Sequence, residues 1–465
     1  MSALERLRER FGGAARPALK ALSASGQLGY GVLEPAFRAG MERRPDFVGA
    51  DMGSVDPGPN YLGSGHMATA EATTVRDLRL LLRGSRENDV PLLIGSAGTA
   101  GARPHLLSTL DLVRRIAAED GLHFRLASIT ADLDRAEVKR ALAEGRLSPL
   151  GSNLQATAED IDASSHIVGQ MGTEAFCRAL ETGADVIVAG RACDTAIYAA
   201  IPRLLGFPEA LAMHMAKIIE CASLCCTPGG RDSMLATLDD EGFVLESMNP
   251  ARRATPMSVA AHSLYEQASP YTVHEPEGVL HLEEATYSAV DERRTRVDGA
   301  VWRPAERWTV KVEAAAPVGE RVILLAGSVD PRFIAGIDEI LPAVKAVVAE
   351  IAPPNPEAPY DLSFRVYGID GVGRWPAPPS TPPREIFILG ECLAPTLAEA
   401  ETVAKVAKQY LLHHGFPGRL STAGNVAFPF TPPEVAFGTA YRFSLFHVMA
   451  VDELAPLFPV TVEEL

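Results

Sequence analysis

At 465 residues the chain is longer than one hydrophobic core usually fills, so two or three compact units are expected. Hydrophobic residues make up 47% and charged residues 22%, ordinary globular usage that excludes a largely disordered or fibrous protein. The formal charge of −16, with Lys and Arg scattered among acids, argues against nucleic acid and anionic membranes as partners. A small anionic substrate would then have to be held by local Arg, His or helix ends.

The chain opens on an amphipathic, basic stretch through Leu22 that contains Glu5 and Glu9 and lacks the Ser-rich character of a transit peptide, so it reads as a surface helix. No apolar run reaches the roughly 18 residues that span a bilayer and no secretory signal core is visible, which makes the cytoplasm the expected location. The cysteines, Cys177, Cys193, Cys221, Cys225, Cys226 and Cys392, read as reduced thiols. From Ser23 to about Pro228, apolar runs at Phe47–Asp51, Val90–Gly95, Phe124–Thr130 and Ala184–Gly190 alternate with helical periodicity at Thr74–Arg86, Leu107–Glu119, Arg135–Glu144 and Thr173–Thr182. This is the βαβ pattern of a mostly parallel sheet covered by helices. After Thr227-Pro228-Gly229-Gly230 the texture changes to alternating strands broken by turns, and beyond the Pro-rich 351–359 a smaller α+β segment offers strands near Leu362–Tyr367 and Ile386–Leu389 and a helix at Leu397–His413. The predicted fold class is thus α/β, with an α/β domain at 1–229, a β-rich domain at 230–352 and a small C-terminal α+β domain at 353–465. A second Pro-rich stretch, 374–383, reads as a loop inside the last.

The densest feature is the strand end PDFVGADMGSVDPGPNYLGSGH. In parallel α/β sheets ligands sit beyond the carboxyl ends of strands, and glycine there lets backbone approach a ligand. Asp51 and Asp56 are the candidate proton-transfer groups of this loop, and Ser54, Tyr61 and Ser64 its candidate substrate-binding groups; the plain alternative is a long turn shaped by Gly and Pro. The next strand end, LLIGSAGTAG, offers Ser96 and Thr99 in a loop that either cradles an anion or simply turns the chain. It lacks the Lys-Ser/Thr ending of a nucleotide P-loop. The third, VIVAGRACDTA, places Arg191 to grip a carboxylate, with Asp194 as a further catalytic candidate, or else the two pair with each other. Gln170, after HIVG, is a candidate hydrogen-bond donor to substrate. His274, with Glu275 beside it, is either an acid/base group or part of a solvated turn. Residues 214–226 put His214, Lys217 and Cys221 along one helical face; a zinc site lacks the paired Cys-x-x-Cys spacing, and Lys217 and Glu220 are better read as contacts for a substrate or partner segment. Gly63-Ser64-Gly65-His66-Met67-Ala68 fits the loose G-x-G-x-x-A string, but Asp56-Pro57-Gly58-Pro59 separates it from the strand, which argues against a nicotinamide site.

On GADMGSVDPGPNYLGSG, GSAGTAG and ADVIVAGRACDTA together, the chain resembles the acyclic terpene utilisation family, over most of its length. That resemblance implies an N-terminal α/β domain followed by a smaller C-terminal one, and catabolism of carboxylic acids or their CoA thioesters. It also implies, for some members, a small partner protein encoded nearby. It carries no catalytic residues over.

The expectation is a catabolic lyase, hydratase or isomerase acting on a small carboxylic acid or acyl-CoA without a redox cofactor, through Asp51 or Asp56, with Arg191 and the Ser96–Thr99 loop holding the anion. Two alternatives stand beside it. One is an acyl-ligand-binding accessory subunit that needs a small partner protein. The other is a divalent-metal version in which Asp51, Asp56 and Asp194 are oxygen ligands. An oligomer is compatible with either.

Overall fold

The computed structural model describes residues 2–13, 16–263, 265, 269–373, 381–420 and 422–465, so most of the expected loop at 374–383 lies outside the described residues. The first helix, Ala3–Phe11, begins with a capping box in which Ser2 accepts from the Glu5 N–H at 3.2 Å and Glu5 accepts from the Ser2 N–H at 2.7 Å. Its Leu4, Leu7 and Phe11 are buried, the apolar stripe that the spacing predicts.

The strands in chain order are β1 (Leu19–Ser23), β2 (Phe47–Asp51), β3 (Leu92–Gly95), β4 (Arg125–Ile129), β5 (Leu147–Pro149), β6 (His166–Gln170), β7 (Val186–Ala189), β8 (Met234–Leu238), β9 (Phe243–Ser247), β10 (Thr272–Glu275), β11 (Gly278–His281), β12 (Thr286–Ala289), β13 (Arg294–Asp298), β14 (Val301–Pro304), β15 (Trp308–Ser328), β16 (Asp361–Tyr367), β17 (Ile386–Ala394), β18 (Glu434–Val451) and β19 (Val460–Glu464). By internal contacts the chain divides into two units, Met1–Ala316 with Phe443–Leu465, and Pro317–Arg442. The chain passes from one to the other within β15 and back within β18.

The fold is α/β. In the larger unit, β1, β2, β3, β7 and β4 lie side by side and parallel, and they form the middle of a ten-stranded sheet. β8, β9, β13 and β12 extend it antiparallel beyond β1, and β19 closes the other side against β4. The central strands β2, β3 and β7 read as largely apolar runs because both faces are covered. Phe47, Leu93 and Ile187 pack on one face with Phe176, Ile197 and Met215, whereas Val48, Ile94 and Val188 pack on the other with Leu78, Leu82 and Val113. Gly49 leaves room for the ring of Tyr198: a Cβ there would fall 2.3 Å from a ring carbon. A separate antiparallel sheet, β10-β11-β14, and the pairing of β6 with the first part of β15 complete this unit. The smaller unit packs antiparallel β16, β17 and the second half of β15 against helices Ile337–Ile351 and Leu397–His413, with Val322, Leu324, Ile388, Val344 and Val403 in its core. No described helix is long and apolar enough to cross a membrane, and no two cysteines are bonded.

A buried ion triad anchors the ends of the parallel strands. Arg191, just past β7, donates from Nε to Glu313 of β15 at 2.8 Å, and Lys311 reaches the same carboxylate at 2.8 Å. Burial works against charge on Glu313, but Arg191 and Lys311 outweigh it and hold the carboxyl below its usual range. The loop ahead of Arg191 approaches the loop after β3 closely: a Cβ on Gly101 (φ +66°) would sit 2.2 Å from the Arg191 nitrogen, and the Arg191 N–H donates to the Gly101 carbonyl at 3.0 Å. A second tie joins the β10-β11 hairpin to helix Asp194–Leu204, where the Thr195 hydroxyl donates to Glu275 at 2.8 Å. Burial lifts the Glu275 carboxyl to about 7 against the pull of that hydrogen bond.

Two stability outcomes follow from these contacts. Arg191→Met leaves the buried Glu313 carboxylate with Lys311 alone and should cost about 1–3 kcal/mol in urea unfolding, whereas Arg191→Met with Glu313→Leu should recover part of that loss. Because the folded-state pKa of Glu275 is raised, its contribution to stability is present below pH 4.5 and lost as pH rises through about 7. Glu275→Gln should therefore gain melting temperature relative to the parent across that window; parallel melting curves for the two proteins would contradict it.

Candidate active site

Three loops at the carboxyl ends of the parallel strands, and one returning segment, build a cleft of about 440 Å³ whose lining includes Gln27, Asp51, Ser54, Asp56, Asp194 and Arg231. β2 ends at Asp51 because Gly53, at φ +139°, turns the chain, and its N–H donates back to the Asp51 Oδ2 at 2.7 Å. The loop after β1 is pinned by buried Asp77, whose carboxylate accepts from the N–H groups of Gly29, Gly31 and Val32 at 2.9–3.0 Å. Asp194 opens the helix that follows β7. The fourth wall, Cys221, Leu224 and Gly230 with Arg231, comes from the segment between helix Glu209–Ile219 and β8, and Tyr265 adds to the lining.

Asp51 is 3% exposed, and its second oxygen, Oδ1, has no hydrogen-bond partner among the described residues. Burial first, and then the charge of Asp194, push its carboxyl well above the usual 3.8; the charge of Arg191, the Gly53 N–H and the Ser96 hydroxyl oppose this and are outweighed. Behind the cleft, buried Glu220 bonds the ammonium of Lys217. Burial raises the Glu220 carboxyl more than Lys217 lowers it, and Asp194 adds to the rise. Asp56, by contrast, is an exposed carboxylate that accepts from the Ser54 hydroxyl at 2.6 Å. The site therefore sets the buried carboxyl of Asp51 beside half-buried Asp194, with an exposed carboxylate at its rim, an arrangement that can retain a proton and exchange it with a bound molecule.

Of the residues singled out in the sequence, Asp51, Ser54, Asp56 and Asp194 meet in this cleft. Arg191 lies buried behind it, its fork occupied by Glu313, with Nη1 3.3 Å from the Ser96 hydroxyl. The Ser96–Thr99 loop is buried, and three of its N–H groups are consumed internally: Ser96 and Ala97 donate to Gly190 and Ala189, Thr99 to Ser96. The Thr99 hydroxyl accepts from the Ala68 N–H at 3.1 Å, so these groups of the loop brace neighbouring strand ends and are not turned toward an anion. Gln170 donates to the Ala192 carbonyl at 3.4 Å. Tyr61 packs half-buried against the core, and the Ser64 hydroxyl accepts from the His66 N–H at 3.3 Å in a local turn. His274 faces solvent from β10, and it is its neighbour Glu275 that reaches the interior. His214 is packed edge-on between Phe243 and Tyr287, where burial lowers it to about 3. Among the described residues no group of three His, Cys, Asp or Glu side chains stands close enough to hold a metal ion.

Sequence reading missed Gln27, Arg231 and Tyr265 as lining. Glu220 and Lys217 carried a local signal, two charges three residues apart in an otherwise apolar helical run, but Arg231 follows a Gly-Gly turn with nothing to mark it.

Neither a curated protein nor a solved structure matches the chain. The family model described as "Acyclic terpene utilisation family protein AtuA" matches residues 71–431, a span that takes in Asp194, Glu220 and Arg231, whereas Asp51 and Asp56 precede it. The match covers more than half of the sequence, and the chain belongs to the acyclic terpene utilisation family.

Proposed function

We propose that the cleft is a proton-transfer site of a catabolic enzyme acting on a small carboxylic acid or its acyl-CoA thioester, as a lyase, hydratase or isomerase. Membership of a terpene utilisation family supports the catabolic setting. The observation that carries the chemistry is the buried carboxyl of Asp51, raised by burial and by Asp194, in the lining of a cleft large enough for a small metabolite. Two close carboxylates in a desolvated site cannot both ionise at low cost, so the pair holds one proton. The ionised member takes a proton from the carbon next to a carbonyl, and the neutral member donates a hydrogen bond to the carbonyl oxygen as charge builds there. The raised pKa of the Asp51 carboxyl makes it a stronger base than an ordinary solvated carboxylate. Arg191, committed to Glu313, acts from behind by its charge alone.

The test is deuterium exchange at the α-carbon in D₂O, followed by NMR across short-chain acids and their CoA thioesters. Asp51→Asn should slow exchange of the responsive compound by about 10²–10⁴-fold with the fold intact; an unchanged rate in a folded variant removes Asp51 from the chemistry. The rate should fall toward acid pH as the base is protonated, with its acid limb well above 3.8. Asp194→Asn removes a like charge, so the Asp51 carboxyl, followed by ¹³C NMR, should titrate at lower pH than in the parent. An unmoved titration would mean that the two carboxylates do not interact.

A further inference from the structure

The lining of the cleft carries three carboxylates, on Asp51, Asp56 and Asp194, against one guanidinium, that of Arg231. Arg231 differs from the other arginines near the site. Arg191 is spent on Glu313 and Arg252 on Asp232, whereas the exposed side chain of Arg231 makes no hydrogen bond or ion pair among the described residues. Its backbone, however, is held on both sides. The Gly230 N–H donates to the Ser223 carbonyl at 3.1 Å, the Ser223 N–H donates to the Asp232 carbonyl at 3.1 Å, and the buried Asp232 carboxylate is gripped by Arg252 and by Asn249 at 2.8 Å. A guanidinium on a clamped backbone, unpaired among the described residues, is arranged to meet a ligand. A planar fork of N–H donors suits a carboxylate or a phosphate.

We infer that Arg231 is the anchor for the anionic end of the ligand. The inference rests on the reading of this cleft as the reaction site and names the substrate class it takes. An anion beside Asp51 and Asp194 would be repelled by their charge, so the anion docks at Arg231 and the uncharged carbonyl end reaches the carboxyl pair. The ligand therefore has two distinct ends: one anionic group, separated by a carbon chain from a neutral reacting group. The anion is either a carboxylate of an organic acid or a phosphate of the CoA handle of a thioester.

Isothermal titration of the full chain with heptanoate, heptanamide and adenosine 3′,5′-bisphosphate tests this and tells the two sources apart. At least one anionic probe should bind saturably, more tightly than heptanamide. Binding of heptanoate identifies a carboxylate as the anchored group, and binding of the bisphosphate identifies a phosphate. Arg231→Gln should weaken that anion at least tenfold, Arg231→Lys should fall between, and the melting temperature should not change, because the side chain holds nothing in the folded protein. Equal affinity of parent and Arg231→Gln for the anion, preference for heptanamide, or no saturable binding of either anion would overturn the assignment. Asp51→Asn separates this from the proton-transfer reading, since it should retain the anion affinity while losing exchange. Unchanged exchange in Asp51→Asn would discard the chemistry and leave the Arg231 titration to be judged by itself.

Discussion

The salt bridge between Arg191 and Glu313 sets the conditions under which the rest of the larger unit works. Both side chains are almost wholly buried, and each would be costly alone, since removing a charge from water is repaid only by a close partner and satisfied hydrogen bonds. Lys311 shares the carboxylate, and Ser96 and the Ala192 carbonyl stand at Nη1 of the guanidinium. The triad thus holds the turn after β7, the turn after β3 and the β6-β15 pairing in one register. The small residues around it, Gly101 and Gly190, exist because two strand ends must come within contact of each other for the triad to close.

That arrangement has an electrostatic consequence for the cleft in front of it. Arg191 is near enough to Asp51 to lower its pKa, yet its charge is already balanced by Glu313, so desolvation prevails and the Asp51 carboxyl stays raised. Asp194, Glu220 and Glu275 stand around the same region, with Lys217 as the buried cation that answers Glu220. Acids outnumber free cations behind the cleft, and an enclosed region of that kind retains protons that a solvated carboxylate would release. Raised carboxyl pKa values are therefore a property of the packed interior as a whole, and Asp51 is the buried member of it that belongs to the lining of the cleft.

Much of the sheet was legible because its chemistry is local. A strand covered on both faces is apolar along most of its length, so β2, β3 and β7, and the apolar middle of β4, stand out, and the glycines and acids that follow β2, β3 and β7 mark carboxyl ends. β1 and β19 were not legible. LKALS is short and follows a basic helix, and VTVEE alternates like any exposed strand; each becomes part of the main sheet only by pairing with β2 and β8, or with β4, across long stretches of chain. The same holds for the site. Asp51, Ser54 and Asp56 are neighbours in sequence and were found together, and Asp194 was found because it follows the same kind of strand.

What the amino-acid sequence determined by itself was the class of fold, the strand ends that carry reactive groups, and the family. Each of these is written in spacing or in contiguous residues. Only the tertiary structure decided what each charged group is for. Arg191 and Glu313 are 122 residues apart, and no local pattern says that this arginine faces an internal carboxylate instead of a ligand. The N–H groups after β3 are spoken for by the carbonyls of β7 and its following turn, a fact of strand order. Arg231 stands apart for the converse reason: its neighbours on either side are tied down, and among the described residues no side chain pairs with it. Whether a charge is structural or available depends on which partner the fold brings within about 3 Å, and that is a property of three-dimensional packing.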